Sequence, residues 1–71
     1  MRTSGLRAAR LRAMLTQTEL ATSAKVARAT VARMEAGEVA RFATIRRIAK
    51  ALRVEPAELL KSPTADAHED R

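Results

Sequence analysis

Two arginines and a threonine, Arg28, Thr30 and Arg33, lie close together in one short stretch of the chain. An arginine offers a planar pair of N–H donors that fits the O6 and N7 acceptors of guanine or the oxygens of a phosphate. Thr30 can touch a thymine methyl group or a phosphate. Alanine occupies positions 27, 29, 32 and 36, so few other long side chains here could reach a base. We predict that Arg28, Ala29, Thr30 and Arg33 form a surface that lies in a DNA groove.

Two short helices joined by a tight turn must position this surface. Thr16, followed three residues later by Glu19, forms the pattern of a capping box and predicts a helix over residues 17–24. A second helix is predicted over 28–36 and ends before Gly37, a residue that often follows a helix in a left-handed conformation. The intervening residues leave room only for a tight turn. The predicted unit is a helix-turn-helix, with these apolar residues facing inward: Leu20, Ala21, Ala24, Val26, Val31 and Met34.

Three further helices complete an all-α, compact five-helix fold. Helix 1 is predicted over 6–14, helix 4 over about 43–52, and helix 5 over 56–61, where Glu55 and Pro56 give a helix-start signal. The expected core positions follow helical spacing: Leu6, Ala9 and Ala13 in helix 1, and Ile45, Ile48, Ala49 and Leu52 in helix 4.

The remaining segments are an N-terminal arm, a loop and a tail. We expect residues 1–5 to form a short disordered arm, so the helical domain covers residues 6–61. Phe42, the only aromatic residue, is predicted to plug the core. Residues 62–71 have no aliphatic side chain larger than alanine and are predicted to form a disordered acidic tail.

Composition limits the class of protein. The 71 residues suffice for one small domain, and the absence of cysteine excludes disulfides and fits an intracellular, cytoplasmic location. Residues 1–54 contain twelve Lys or Arg but three Glu, whereas residues 55–71 contain two Lys or Arg and five acidic residues. A basic domain predicts a polyanionic partner, with nucleic acid favoured over a membrane because no basic amphipathic helix with bulky aromatics is present. A basic, alanine-rich composition that merely reflects a GC-rich genome is the alternative.

These residues resemble the lambda-repressor-like, Xre-type helix-turn-helix family. The resemblance covers residues 6–60, where the pieces LRAAR, LTQTELA, VARATVARMEAG, TIRRIAKAL and VEPAELL stand in family order and spacing. It implies a double-stranded DNA partner and a salt bridge between Arg10 and Glu35 that fixes helix 3 on helix 1. It also implies contacts to DNA from Gln17 at the start of helix 2. Together with the exposed positions, the assigned DNA-contacting set is Gln17, Thr18, Arg28, Ala29, Thr30, Arg33 and Arg41.

Some positions depart from the family pattern. Lys25 stands where the turn usually has glycine and would need an uncommon backbone conformation or a modified turn. Ala27 stands where a hydroxyl residue usually caps helix 3, and losing such a cap costs about 1 kcal/mol. Met14 replaces a common glycine at the end of helix 1, and Arg41 stands where a small residue is frequent. These departures concern turn geometry and the preferred DNA sequence.

Two classes of function follow from the sequence. The first is a sequence-specific transcriptional regulator, expected to be a repressor that binds DNA as a homodimer. Leu59 and Leu60 in helix 5 are the candidate dimer surface, since so small a core can hardly bury both leucines; the alternative is that the monomers meet only on DNA. The second is a protein-interaction module, such as an antitoxin or a restriction–modification controller, whose DNA binding depends on a partner. No catalytic, metal-binding or cofactor-binding pattern is present: the single histidine, His68, lies in the tail, and two glycines cannot form a phosphate loop. An enzyme is not expected.

Overall fold

A computed structural model describes residues 1–60 of the chain. It contains α1 (Leu6–Arg12), α2 (Gln17–Ala24), α3 (Arg28–Glu35), α4 (Phe42–Leu52) and α5 (Pro56–Leu60). The expected all-α architecture is confirmed, and residues 1–60 contain no β-strand. The predicted tail, residues 62–71, lies outside the described residues.

All five helices contribute to one small core. α2 packs against α3 and α4, α4 against α5, and α1 against both α5 and α3. The fully buried aliphatic side chains are Leu6, Leu20, Val31, Ile48 and Leu59. Burying each of them stabilises the fold by about 1.5–3 kcal/mol, so this handful of residues supplies a large part of the hydrophobic stabilisation.

Capping at the start of α2 follows the prediction. The Thr16 hydroxyl accepts from the Glu19 backbone N–H at 3.0 Å, and the Glu19 carboxylate accepts from the Thr16 backbone N–H at 2.8 Å. Both groups of the capping box are therefore used. α3, by contrast, begins after Ala27 without a side-chain cap, as the departure at that position predicted.

Each of the first four helices is followed, within two residues, by a residue whose backbone is in the left-handed region. Gly37 has φ +102°, whereas Met14, Lys25 and Arg53 have φ near +60° without being glycine. At the turn between α2 and α3, the Lys25 N–H donates to the Thr22 carbonyl and the Val26 N–H to the Ala21 carbonyl, the bond pattern of a Schellman motif. The turn thus keeps its usual shape, and Lys25 carries the strain that a glycine would avoid.

The expectation of a disordered arm at residues 1–5 is wrong. Thr3 is buried, and its hydroxyl donates to the Met34 carbonyl at 3.5 Å. The Gly5 N–H donates to the Leu59 carbonyl at 2.9 Å, and Met1 and Ala40 exchange two backbone hydrogen bonds. These non-local bonds, which no local sequence pattern indicates, join the arm to α3, α5 and the α3–α4 connection.

Two predicted core residues are exposed. Phe42 is 63% exposed rather than a core plug, because it occupies the first turn of α4 while Ile45, Ile48 and Leu52 form the inward face. Ala40 packs against the core at this end of the molecule instead. Ala13 is exposed as well, because α1 ends at Arg12, two residues earlier than predicted.

The predicted dimer surface at Leu59 and Leu60 is also wrong for its first residue. Leu59 is fully buried, and Leu60 is partly buried against the core. α5 has five residues and lies against both α1 and α4, so its central leucine closes the core between those helices. Leu59 is therefore unavailable for contact with a second chain.

Candidate nucleic-acid interface

The two faces of α3 have different roles. Val31 and Met34 are buried in the core and attach the helix to the rest of the domain. Arg28, Ala29 and Arg33 are exposed, and Thr30 is partly buried. Helical spacing places Ala29 and Arg33 opposite the buried pair and Arg28 and Thr30 at the two edges of this face, so the predicted surface exists as one face of a helix that its own apolar residues anchor.

An ion pair fixes the C-terminal end of α3 on α1. The Arg10 guanidinium donates from Nε to one oxygen of Glu35 and from Nη2 to the other at 3.1 Å. Arg10 also donates from Nη1 to the Leu15 carbonyl at 2.8 Å. The two side chains are only 11% and 7% exposed, so the pair that the family resemblance implied is bidentate and largely buried.

The environment of this pair favours the charged forms of both residues. Burial by itself would raise the pKa of Glu35, but hydrogen bonds from Arg10 and Gln17, together with the charges of Arg10 and Arg7, outweigh it and lower that pKa. The hydrogen bond to Glu35 raises the pKa of Arg10 despite its desolvation. The pair therefore stays ionised across the physiological pH range.

Gln17 connects this buried pair to the exposed face of α3. Its side-chain nitrogen donates to Oε1 of Glu35 at 3.1 Å, and its oxygen accepts from Nη1 of Arg28 at 3.1 Å. One chain of hydrogen bonds thus runs from Arg10 through Glu35 and Gln17 to Arg28. The structure brings Gln17 and Arg28 together, while Thr18 lies beside them on α2 with an exposed side chain.

A groove between α3 and the start of α4 brings together the other predicted residues. Thr30, Arg33 and Arg41 line it with residues that the sequence analysis did not assign, namely Met34, Glu38, Val39, Ala40 and Thr44. Glu38 lies 4.0 Å from the Arg33 guanidinium, and both side chains are exposed. Glu38 sits five residues after Arg33 beyond a helix end, a spacing that gives no standard contact signal in the sequence.

A second groove lies on another side of the domain, between the end of α2 and α4. Its lining includes four cations, Lys25, Arg47, Lys50 and Arg53, and no acidic residue. None of the four has an ion pair within residues 1–60. These residues form a basic surface separate from the exposed face of α3.

A family model described as helix-turn-helix matches residues 6–59. The chain belongs to the lambda-repressor-like, Xre-type helix-turn-helix family. The match runs from the first residue of α1 into α5 and includes the turn that Lys25 closes, so the departures at Lys25 and Ala27 leave the family fold intact. No curated protein and no solved structure matches the chain.

The helix-turn-helix family is one of DNA-binding regulatory domains, and that coarse function applies to this chain. Within residues 1–60, no three His, Cys, Asp or Glu side chains are grouped so that they could hold a metal ion. None of the helices in this same region is both long and apolar enough to cross a membrane.

Proposed function

We propose that this helix-turn-helix protein is a sequence-specific transcriptional regulator that binds double-stranded DNA and represses the genes it controls. The observation that carries the proposal is the exposed face of α3, where Arg28 and Arg33 flank small residues on a helix anchored by Val31 and Met34. A rigid helix with arginines on its outer face suits insertion into the major groove.

Arg28 is the principal base-reading residue in this proposal. Its Nη1 is already held by Gln17, which in turn is held by the buried ion pair, so the arginine loses less side-chain freedom when it binds. The remaining N–H groups of the guanidinium are free to donate to a guanine edge. Arg33 and Thr30 extend the contact along the same face.

Backbone contacts come from both sides of this helix. Thr18 and the start of α2 lie on one side, where free helix-end N–H groups suit a phosphate. Arg41 lies on the other side, at the first residue before α4. Contacts of this kind set the register of the helix on DNA, whereas the α3 side chains read the sequence.

A second copy is needed for useful specificity. One recognition helix reads about 4–6 base pairs, too few to single out one site in a genome, and two copies on related half-sites double that length. We therefore infer that two molecules bind one operator. Repression follows if that operator overlaps the sites that a polymerase needs.

Selection from a randomised duplex library at physiological salt tests this function. Enrichment of an inverted repeat is the expected result, with half-sites separated by about one helical turn. If bound DNA shows no enriched sequence and binding disappears with added salt, the arginines act only as an electrostatic surface. A protein-interaction module would then be the better description of the chain.

A further inference from the structure

The groove between the end of α2 and α4 carries positive charge only. Its volume is 610 Å³, within the range of about 300–1,000 Å³ that is typical of small-ligand sites. Small side chains line it together with four exposed cations: Lys25, Arg47, Lys50 and Arg53. None of these cations has an ion pair within residues 1–60. We call this groove, defined by its four cations, the basic groove.

The cations of the basic groove come from two facing walls. Arg47 and Lys50 are neighbours on the surface of α4, and Arg53 follows three residues later as its C-cap, so this row is about 9 Å long. Lys25 stands on the other wall, at the C-cap of α2. The axes of packed helices lie about 8–10 Å apart, so the furrow between the walls admits a narrow chain. A DNA duplex, whose major groove alone is about 12 Å wide, can only touch its rim.

The side chains of the basic groove suit a ligand that only accepts hydrogen bonds. Ammonium and guanidinium groups donate and never accept, and Ser23 supplies the one side-chain acceptor among the lining residues. Phosphate oxygens accept and carry negative charge, whereas an acidic peptide also brings backbone N–H groups that need acceptors. No aromatic side chain lines the groove, so a nucleobase has no surface on which to stack. This chemistry favours a chain of phosphates without a base.

The basic groove is separate from the face of α3 that we propose reads DNA. Gln17, which holds Arg28, is the first residue of α2, whereas Lys25 follows its last residue, so about 12 Å of helix lies between them. No residue lines both this groove and the one that contains Arg33 and Arg41. A small ligand in the basic groove therefore does not occupy the exposed face of α3.

Part of this charge has a structural explanation. Lys25, Lys50 and Arg53 lie at the C-terminal ends of α2 and α4, where a cation interacts favourably with the helix dipole. That interaction falls off within the last turn, and Arg47 lies more than one turn from the end of α4. It also gives no reason for cations of two helices to line one furrow without a carboxylate. Like charges gathered at one place repel each other unless an anion offsets them.

We propose that the basic groove binds a free chain of linked phosphates, of the kind found in inorganic polyphosphate. This inference goes beyond the proposed DNA-binding function and does not depend on it. Arg47, Lys50 and Arg53 hold the chain from α4 and Lys25 holds it from α2, through charge-assisted hydrogen bonds to phosphate oxygens. Because exposed charges make these contacts, binding weakens as salt is added.

Titration with inorganic tripolyphosphate tests the proposal. The full chain is titrated by calorimetry in metal-free buffer at physiological salt, beside two variants whose folding circular dichroism has verified. Arg47→Gln/Lys50→Gln/Arg53→Gln removes the α4 wall of the groove and leaves the turn at Lys25 unchanged. The control, Arg2→Gln/Arg7→Gln/Arg12→Gln, removes the same number of exposed cations near the N-terminus and has the same net charge.

The two variants should differ in their affinity for the probe. We expect the groove variant to bind tripolyphosphate about tenfold more weakly than the wild type, and the control variant to lose no more than about threefold. Amide chemical shifts of the wild type give a second measurement that needs no variant: tripolyphosphate should move those of residues 23–25 and 47–53 most. A duplex without a selected site should lose affinity equally in both variants, because overall charge governs its binding.

Three results would overturn the proposal. Equal losses of tripolyphosphate binding in the two variants mean that net charge alone attracts the probe. Chemical-shift changes centred on residues 28–33 place the phosphates on the exposed face of α3. A duplex that loses far more affinity in the groove variant than in the control assigns the groove to the DNA backbone. None of these results decides the proposed function, which the library selection tests separately.

Discussion

The side-chain oxygen of Gln17 accepts a hydrogen bond from Nη1 of Arg28 at 3.1 Å. This contact joins the first residue of α2 to the first residue of α3, across the turn of the helix-turn-helix. The same Gln17 amide donates to Glu35, and that bond sets which end of the amide faces Arg28. Gln17, for which the family resemblance implies a DNA contact, thus also supports the side chain of Arg28.

Arg28→Ala should weaken binding to the preferred DNA sequence by about 1–3 kcal/mol and relax the preference at one base position, because a bidentate contact to a base edge is lost. Gln17→Ala should weaken binding less. In the double variant the two losses should not add, since Gln17 acts partly through Arg28. Titrations on the selected site and on single-base variants measure both effects. Unchanged base preference in Arg28→Ala would refute its assignment as the reading residue.

Glu35→Ala should lower the free energy of unfolding by about 3 kcal/mol, because Arg10 then remains largely buried without its carboxylate. Urea denaturation followed by circular dichroism measures the change. Glu38→Ala is the matched control: its pair with Arg33 is exposed and 4.0 Å long, so the expected change is within about 0.5 kcal/mol. Equal effects of the two substitutions would contradict a structural role for the buried pair.

Acid should destabilise the wild type more steeply than Glu35→Gln. The pKa of Glu35 is lower in the folded protein than in the unfolded chain, so below that unfolded value the unfolded state binds the extra proton. The stabilisation from this group is complete above about pH 4.3 and is lost as the pH falls through the folded pKa. Urea midpoints from pH 7 to pH 3 give the comparison. Parallel curves for the two proteins would show that the pair contributes no pH-dependent stability.

Lys25→Gly should raise the free energy of unfolding by about 0.5–1 kcal/mol, because glycine adopts φ +60° without the steric cost that lysine has there. Lys50→Gly removes the same charge from the last turn of α4, where the backbone is still helical, and should lower the free energy of unfolding by up to about 1 kcal/mol. Thermal and urea denaturation of both variants test whether the free energy of unfolding rises in the first and falls in the second. Destabilisation by Lys25→Gly would mean that the lysine side chain makes a compensating contact at the turn.

Local patterns predicted much of the fold. Thr16 and Glu19 marked the start of α2, Gly37 marked the end of α3, and the spacing of Ile45, Ile48 and Leu52 gave the inward face of α4. Each of these signals depends on residues within a few positions of one another, because local backbone geometry sets where a helix begins, where it ends and which face turns inward. Taken together, these local signals predicted the all-α architecture and the family, and both predictions are confirmed.

The predictions that failed concern the N-terminal arm, Phe42 and Leu59. Thr3 and Met1 gave no helical or strand signal, yet they bond to Met34 and Ala40. Phe42 was placed in the core on its type alone, although its position in the first turn of α4 exposes it. Leu59 and Leu60 were both assigned to a candidate dimer surface because so small a core could hardly bury both leucines; the structure buries Leu59 fully and Leu60 in part.

For the candidate interface, the amino-acid sequence determined the residue types and their helical spacing, and therefore the face of α3 that carries Arg28, Thr30 and Arg33. Tertiary structure alone decided that Gln17 bridges Glu35 and Arg28, that Glu38 approaches Arg33, and that Met1 bonds to Ala40. The physical reason is the range of the interactions. Helix periodicity and capping act over a few residues, whereas these contacts require separate elements to be packed together before their side chains can meet.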